Sequence, residues 1–539
     1  MADQPDIQPV AKNIIFMLPD GASAAYASNY RFFKEGGEAP VWEALQKGLV
    51  QTDSFNNPIT DSAAGATAYA TGVKTRNGTV GEDFFGHELT SIADLASAAG
   101  KATGLVSTSA ITDASPASFG ASIADRDDWG AVARQYILDN ALDVILGAGR
   151  PAFLGEGEGG SQPEGGIDLL ATAQAQGMNY VASAEALEGF SGDRVLGLFS
   201  DEEYLDPIGP RPAGEPSLLQ MTDVALDTLA KDQDGFFLFV EEENTDTYGH
   251  ANDAATAMHA MAAFEASVAR VLEFQKANPD TLVVILADHD TGGMTSQPGT
   301  APGSTPAIFR DFDATAEEIA ADYDAADPAS IRSAVEAHTG LTLTDAEIAA
   351  VQAEEDSLGL AQVLSARGGV HFTTTGHTAA DVPIYAIGPG AEQFLGIQEN
   401  AEVGAKVANA FGLELPVSQQ DGGALRFQVI ELYDAAFDAI PHQEALDYWV
   451  QVAAEGGNVA AAFASRLEER DGLGDQDYVV GLLRNALDAE PEAEEVAYWT
   501  GFLAGSGSRT EVLEAIAHSP EHQAALLQLP VPEDGGLFG

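Results

Sequence analysis

The sequence predicts an α/β protein: a three-layer α/β/α sandwich around a mostly parallel central sheet, with an inserted helical subdomain and a C-terminal all-α repeat domain. Three observations carry this. Short apolar runs alternate with helical patterns through the N-terminal part. An acidic, Ala-rich stretch interrupts the alternation between Gly299 and Gly369, and from about Leu425 the pattern is amphipathic helix throughout. At 539 residues the chain is too long for one small core, so a large domain with an appendage is expected.

Four runs define the expected sheet. Asn13 to Leu18 stops at Pro19-Asp20-Gly21, Phe236 to Val240 ends at Glu241, and Leu282 to Ala287 ends at Asp288-His289; Pro383 to Gly388 is the fourth. Buried runs of this length separated by helical stretches predict parallel strands. Three of the four deliver an acidic group or His at their C-terminal end, where open α/β sheets place their ligands.

Within the interruption, Thr315-x-x-Glu318 and Thr344-x-x-Glu347 have the form of capping boxes opening helices. The segment reads as a helical subdomain, either a lid, an oligomer contact or decoration. In the tail, Leu432 to Pro441 recurs as Leu482 to Pro491, and Tyr448-Trp449 recurs as Tyr498-Trp499, a register of 50 residues. This predicts a duplicated helical unit with its aromatic pairs in the core. The expected division is 1–424, holding the insertion at about 300–370, and 425–539 for the repeat.

Composition limits the partners. With 84 acidic and 24 basic residues the net charge is −60, so nucleic acid and anionic membrane surfaces are repelled. Solubility in a salty medium, halophilic or marine, accounts for such acidity. No apolar stretch reaches membrane-spanning length, and the N-terminal MADQPDIQPVAKN shows no signal-peptide pattern. Zero cysteines exclude disulfides and thiolate metal sites, so any metal must be held by His, Asp, Glu, Ser or Thr.

Ser62 stands in Thr60-Asp61-Ser62-Ala63-Ala64-Gly65-Ala66-Thr67, where small residues can open a helix and leave N–H groups near its hydroxyl. Alone, it reads first as a helix cap, the ordinary role of a serine before an Ala-rich helix. The acidic and His groups change that. Glu241, Asp246 and His250 follow one strand at spacings of five and four, Asp288-His289 follow another, Asp20 follows the first, and His377 lies in Thr375-Gly376-His377-Thr378. Carboxylate with imidazole suits zinc; all-oxygen sets suit magnesium.

These segments, with Thr71 to Thr75 and Asp113-Ala114-Ser115-Pro116, resemble the alkaline phosphatase family in order and spacing over roughly residues 12–415. The resemblance implies one metal on Asp246, His250 and His377, and a second on Asp20, Asp288, His289 and the Ser62 oxygen, both zinc. It implies a magnesium ion on Asp20, Ser115 and Glu241, with Asp113 behind it. It also implies that Ser62 is the nucleophile, that a phosphoserine forms, and that Arg126, thirteen residues after Asp113, binds phosphate. Small phosphate monoesters are the expected substrates, a homodimer the expected assembly, and the periplasm or extracellular space the expected location.

Three ions, Arg126 and the carboxylates of Asp20, Asp113, Glu241, Asp246 and Asp288 would leave the pocket at about +2 within an acidic protein. Two departures from the family pattern matter: Ser115 stands where threonine is usual, and neutral Thr247 where some members carry lysine or histidine. The tail, with Ser519-Pro520-Glu521, is similar to helical repeats of bacterial secreted or surface proteins and reads as a secretion or interaction module. Rival readings are a phosphodiesterase or sulfatase of the same superfamily, or a non-catalytic surface protein on a phosphatase scaffold.

Overall fold

The apolar run after Lys12 forms strand β1, Asn13–Pro19, buried along its whole length. Alternation along it serves two cores: Ile15 and Met17 face one helical layer, and Ile14, Phe16 and Leu18 face the other. The first layer holds helices Ala24–Phe33, Leu218–Leu229 and Ala254–Ala277. The second holds Ser62–Thr71, Ile92–Ala98, Ala114–Gly120, Trp129–Leu138 and Asn400–Ala410. This is the expected three-layer sandwich. The computed structural model describes residues 10–528 apart from 140–141, 164–165, 210, 213, 300–303 and 355–356. Most of the N-terminal segment read for a signal, and the first residues of the insertion, lie outside the described residues.

The other strands are β2 (Gln46–Gln51), β3 (Ala102–Ala110), β4 (Val144–Ala148), β5 (Asn179–Val181), β6 (Val195–Leu198), β7 (Phe236–Glu242) and β8 (Thr281–Ile285). With Val382–Ile387 and Gly396–Glu399 they make a ten-stranded sheet, ordered Gly396–Glu399, β2, Val382–Ile387, β8, β1, β7, β3, β4, β6, β5. One expectation is corrected here. The run from Pro383 runs antiparallel to both β8 and β2. Hydropathy reports burial on both faces, which a central antiparallel strand shares with a parallel one, so direction was not readable from it. The reversal has a use: the N-terminal end of this strand lies at the edge where its parallel neighbours finish.

The insertion leaves and rejoins the domain through a two-stranded neck pairing Thr295 with His371 and Ser296 with Val370. Both expected capping boxes are formed, at Thr315 and at Thr344. Ile319, Ile331, Val335, Ile348, Leu360 and Leu364 join the same core as β1 Ile15, so the insertion extends that core.

The tail repeats a three-helix unit at the expected register. Helices Ala424–Phe437, Gln443–Ala454 and Val459–Asp471 recur as Asp475–Leu487, Ala493–Ala504 and Arg509–Ala517. Asp438 and Asp488, 50 apart, both end their first helix with positive φ, at 56° and 46°. The aromatic pairs are only half in the core. Trp449 is buried and Trp499 partly so, while Tyr448 and Tyr498 are 59% and 65% exposed. Adjacent helical residues point about 100° apart, so one member of each pair must turn outward.

The repeat docks on the first domain through a buried polar junction. Arg426 Nε donates to Asp83 at 2.5 Å, Asp83 lies 2.9 Å from His87 Nδ1, and His87 Nε2 lies 2.7 Å from the Pro441 carbonyl. Burial alone would raise the Asp83 pKa, but Arg426 and His87 outweigh it and hold the carboxyl well below its usual range. Phe427 packs on Phe55 and Phe85 around this junction. Arg426→Ala leaves Asp83 buried without its cation and is expected to cost about 3–5 kcal/mol, read as a lowered urea midpoint. An unchanged midpoint refutes this account of the junction.

Candidate metal centre and nucleophile

β1 runs into Asp20, which is fully buried, and turns at Gly21. Gly21 has φ +64°, and a Cβ there would meet Thr291 Oγ1 at 2.4 Å and Asp246 Oδ1 at 2.5 Å, so the turn requires glycine. β8 continues into Asp288 and His289, and β7 ends in the acidic run and opens the helix Asn244–His250. That helix sets Asp246 and His250 at i and i+4 on one face, with Asp246 Oδ2 3.1 Å from His250 Nε2.

Three groups of candidate ligands result, each with one ligand atom per residue within 4.8 Å of the others: Asp246, His250 and His377; Asp20, Asp288 and His289; and Asp20, Glu241 and Glu243. In the first group, His250 Nδ1 bonds the Thr375 carbonyl at 2.5 Å and His377 Nδ1 bonds the Thr60 carbonyl at 2.9 Å. A carbonyl only accepts, so each Nδ1 carries a proton and each ring, when neutral, presents its lone pair at Nε2. Those two Nε2 atoms face each other at 3.0 Å.

In the second group, His289 Nε2 lies 3.2 Å from Ser62 Oγ, 3.1 Å from Asp288 Oδ2 and 3.6 Å from Asp20 Oδ1. Its Nδ1 is 3.2 Å from Thr291 Oγ1, whose own proton goes to Asp246 in a short bond. Thr291 thereby directs the bare Nε2 toward Ser62 and links the first two groups. Asp20 Oδ1, Asp288 Oδ2 and Glu241 Oε1 are buried without a hydrogen-bond partner among the described residues. Such oxygens in such company fit divalent cations.

Ser62 is buried at the first turn of the helix Ser62–Thr71. It is not the cap. Asp61 is: its Oδ1 accepts from Ala64 N at 3.0 Å, which leaves the Ser62 hydroxyl free to face His289. A Cβ on Gly65 would stand 3.2 Å from Asp288 Cβ, so a small residue lets this helix approach the ligand strand. Arg126 is not a solvated surface residue. Its Nη1 lies 3.4 Å from Asp61 Oδ2 and its Nη2 3.1 Å from Asp113 Oδ1. Ser115 Oγ donates to Asp20 Oδ2 at 3.0 Å.

All the residues expected at the site converge on this end of the sheet, Asp113 through its pair with Arg126. Three further residues belong here that the sequence reading passed over: Asp61, Thr291 and Glu243. Glu243 had a readable signal, because residues two apart at a strand end share a face, and Glu241 and Glu243 straddle a Glu242 that turns to Thr108 and Asn244. Asp61 and Glu243 also revise the charge of the pocket: with three divalent ions it falls from about +2 to about zero.

Burial, then the neighbouring carboxylates, pushes Asp20 well above its usual range, and Glu241 and Glu243 likewise. Burial opposes protonation of His250, but the bond and charge of Asp246 prevail and push it up to about 9. His377 is pushed down to about 4 by burial and by His289, whose ring stacks at 3.6 Å.

Carboxylates and imidazoles gathered around a buried serine, at the C-terminal end of a largely parallel sheet, are the arrangement of a metal-dependent α/β phosphatase. Residues 11–413 match the alkaline phosphatase family, and the chain belongs to it. Residues 454–526 match a domain family of unknown function, DUF4214. Alkaline phosphatase 3 of Bacillus subtilis is 34% identical over 438 residues, covering 76% of this chain and 91% of its own. The Thermus thermophilus alkaline phosphatase superposes with a TM-score of 0.68 at 27% identity, over 77% of this chain and 94% of that one. A histidine-to-aspartate mutant of the TAB5 alkaline phosphatase, with Mg bound in its M3 site, gives 0.56 at 26% identity, over 76% of this chain and 99% of that one.

His250 must lose its extra proton to bind a cation, so metal affinity at the first group is expected to fall as pH drops below about 9. With one proton released per ion, the slope is about tenfold per pH unit, measurable by zinc titration of metal-stripped protein between pH 6 and 9. A flat profile overturns the assignment of His250 as the titrating ligand.

Proposed function

We propose that the enzyme is a phosphomonoesterase of broad specificity that works through a phosphoserine on Ser62, with two zinc ions and one magnesium. The observation that carries this is the Ser62 hydroxyl, uncapped at a buried helix start and 3.2 Å from His289 Nε2. The zinc positions are Asp246, His250 and His377, and Asp20, Asp288 and His289 with the Ser62 oxygen. The magnesium position is Asp20, Ser115 and Glu241, with Asp113 behind them. Bound divalent ions supply the charge that favours an alkoxide and offsets the leaving oxygen's charge, and they lower the pKa of water.

The chain's own residues do the rest. Ser62 Oγ forms a bond to phosphorus as the ester P–O bond breaks, and the alcohol leaves as its oxygen takes up a proton. Water then attacks the phosphoserine, releasing phosphate and restoring the hydroxyl. The start of the Ser62–Thr71 helix favours negative charge at the phosphoryl group. Arg126 offers a planar fork to two phosphate oxygens, steadied by Asp61 and Asp113. Asp246 and Thr291 orient His289 and His250.

The strong acidity and the appended repeat support work outside the cytoplasm, with 425–539 as a secretion or interaction module. No helix among the described residues is long and apolar enough to cross a membrane.

Hydrolysis of a chromogenic phosphate monoester, its diester and its sulfate, by wild type and Ser62→Ala, tests the proposal. Ser62→Ala is expected to lose at least about 10³-fold in kcat/KM on the monoester and to trap no phosphoenzyme from ³²P substrate. Equal rates for the two proteins, or faster cleavage of the diester or sulfate, reject it. Chelation is expected to abolish activity, since removing the ions leaves the pocket at about −6.

A further inference from the structure

Glu243 is the one carboxylate of the pocket to which the proposed mechanism gives no task. It is 6% exposed, yet no hydrogen bond or ion pair engages its carboxylate among the described residues. Its position is well fixed. The Glu243 N–H donates to Thr108 Oγ1 at 3.0 Å, and the same hydroxyl donates to Glu242 Oε1 at 2.9 Å. This turns Glu242 away and leaves Glu243 on the side of Glu241 and Asp20.

There, one oxygen from each of Asp20, Glu241 and Glu243 lies within 4.8 Å of the others. Asp20 Oδ1 and Glu241 Oε1, on residues 0% exposed, have no hydrogen-bond partner among the described residues. Their second oxygens are bonded, Asp20 Oδ2 by Ser115 and Glu241 Oε2 by Ser107. Asp20 and Glu241 thus each keep one oxygen without a partner in the group that Glu243 joins. The charge of Arg126 is felt at Glu243, but its direct ion pairs are with Asp61 and Asp113.

We propose that Glu243 is a ligand of the third cation, completing with Asp20 and Glu241 a three-carboxylate site for a hard divalent ion. This rests on the three-cation reading given above. The site offers only oxygen, unlike the two that contain imidazole, so its donors suit a hard ion such as Mg²⁺ or Mn²⁺. A third carboxylate raises affinity for the ion and cancels more of its charge. The ion therefore adds less positive potential at the phosphate than two carboxylates and a hydroxyl would allow.

The test uses full-length protein stripped of metal, reloaded with two equivalents of zinc, and titrated with Mn²⁺ by electron paramagnetic resonance. Wild type, Glu243→Gln and Glu241→Gln are compared, and retained zinc stoichiometry reports an intact fold. Glu243→Gln is expected to weaken Mn²⁺ binding at least about tenfold with two zinc ions still bound. Binding within twofold of wild type in Glu243→Gln, when Glu241→Gln weakens it, overturns the proposal and leaves the three-cation reading standing. If neither variant changes binding, the third site is not at these residues and both fall. Should Glu243→Gln lose zinc, Glu243→Asp, which keeps the charge at shorter reach, is judged by the same two outcomes.

Discussion

The structure depends on holding like charges together away from water. Asp20, Glu241, Glu243, Asp246 and Asp288 are all buried, and members of each candidate metal group approach within 4.8 Å. Two carboxylates at such a distance repel by roughly 3 kcal/mol even at a generous effective dielectric. A neutral hydrogen bond contributes about 1 kcal/mol, so the hydroxyls of Ser107 and Ser115 cannot balance the repulsion. Either protons or divalent ions must. The upward shifts of Asp20, Glu241 and Glu243 describe the protonated solution. The bare oxygens and the facing His250 and His377 nitrogens describe the metal-bound one.

The frame is built to withstand that repulsion. The carboxylates leave the ends of β1, β7 and β8, strands fixed by ladders on both sides. His377 is brought to the same edge by the one strand that runs the other way. The insertion secures the first metal group from outside. Ser365 Oγ donates to the Asn252 carbonyl, and Gln362 Nε2 to Asn252 Oδ1. Asn252 in turn donates to the Thr374 carbonyl, beside the turn that carries His377. Asn252 has φ 54°, an unfavourable backbone state held by those contacts just beyond His250. Decoration would not need such contacts.

Much of this was legible in the sequence, for physical reasons that also set the limit. Apolar runs ending in Asp20, Glu241 and Asp288-His289 reported strands and candidate ligands at once, because burial and strand length leave a mark residue by residue. The duplicated tail was equally visible, since its repeat preserves Asp438 and Asp488 at helix ends. Direction leaves no such mark, and the strand Val382–Ile387 was therefore misread. Asp61 and Thr291 make their contacts with residues distant in the chain, and only the fold brings those partners together. Glu243 was the readable exception, on the alternation of side chains at a strand end.

The tail also bears on the site, through one loop. Asp83 and His87, which anchor the repeat through Arg426 and Pro441, lie on the segment that begins at Gly78. The Gly78 N–H donates to Asp61 Oδ2 at 2.8 Å, and the Gly78 carbonyl accepts from Arg126 N at 2.9 Å. Asp61 caps the Ser62 helix and pairs with the Arg126 guanidinium. The loop that receives the repeat thus also holds the cap of the Ser62 helix and the backbone of Arg126. Phe55, Phe84 and Phe85, stacked beneath Phe427, stiffen it. A tail that served only for export would need none of these contacts. Their burial makes the first helix of the repeat part of the catalytic domain's own support.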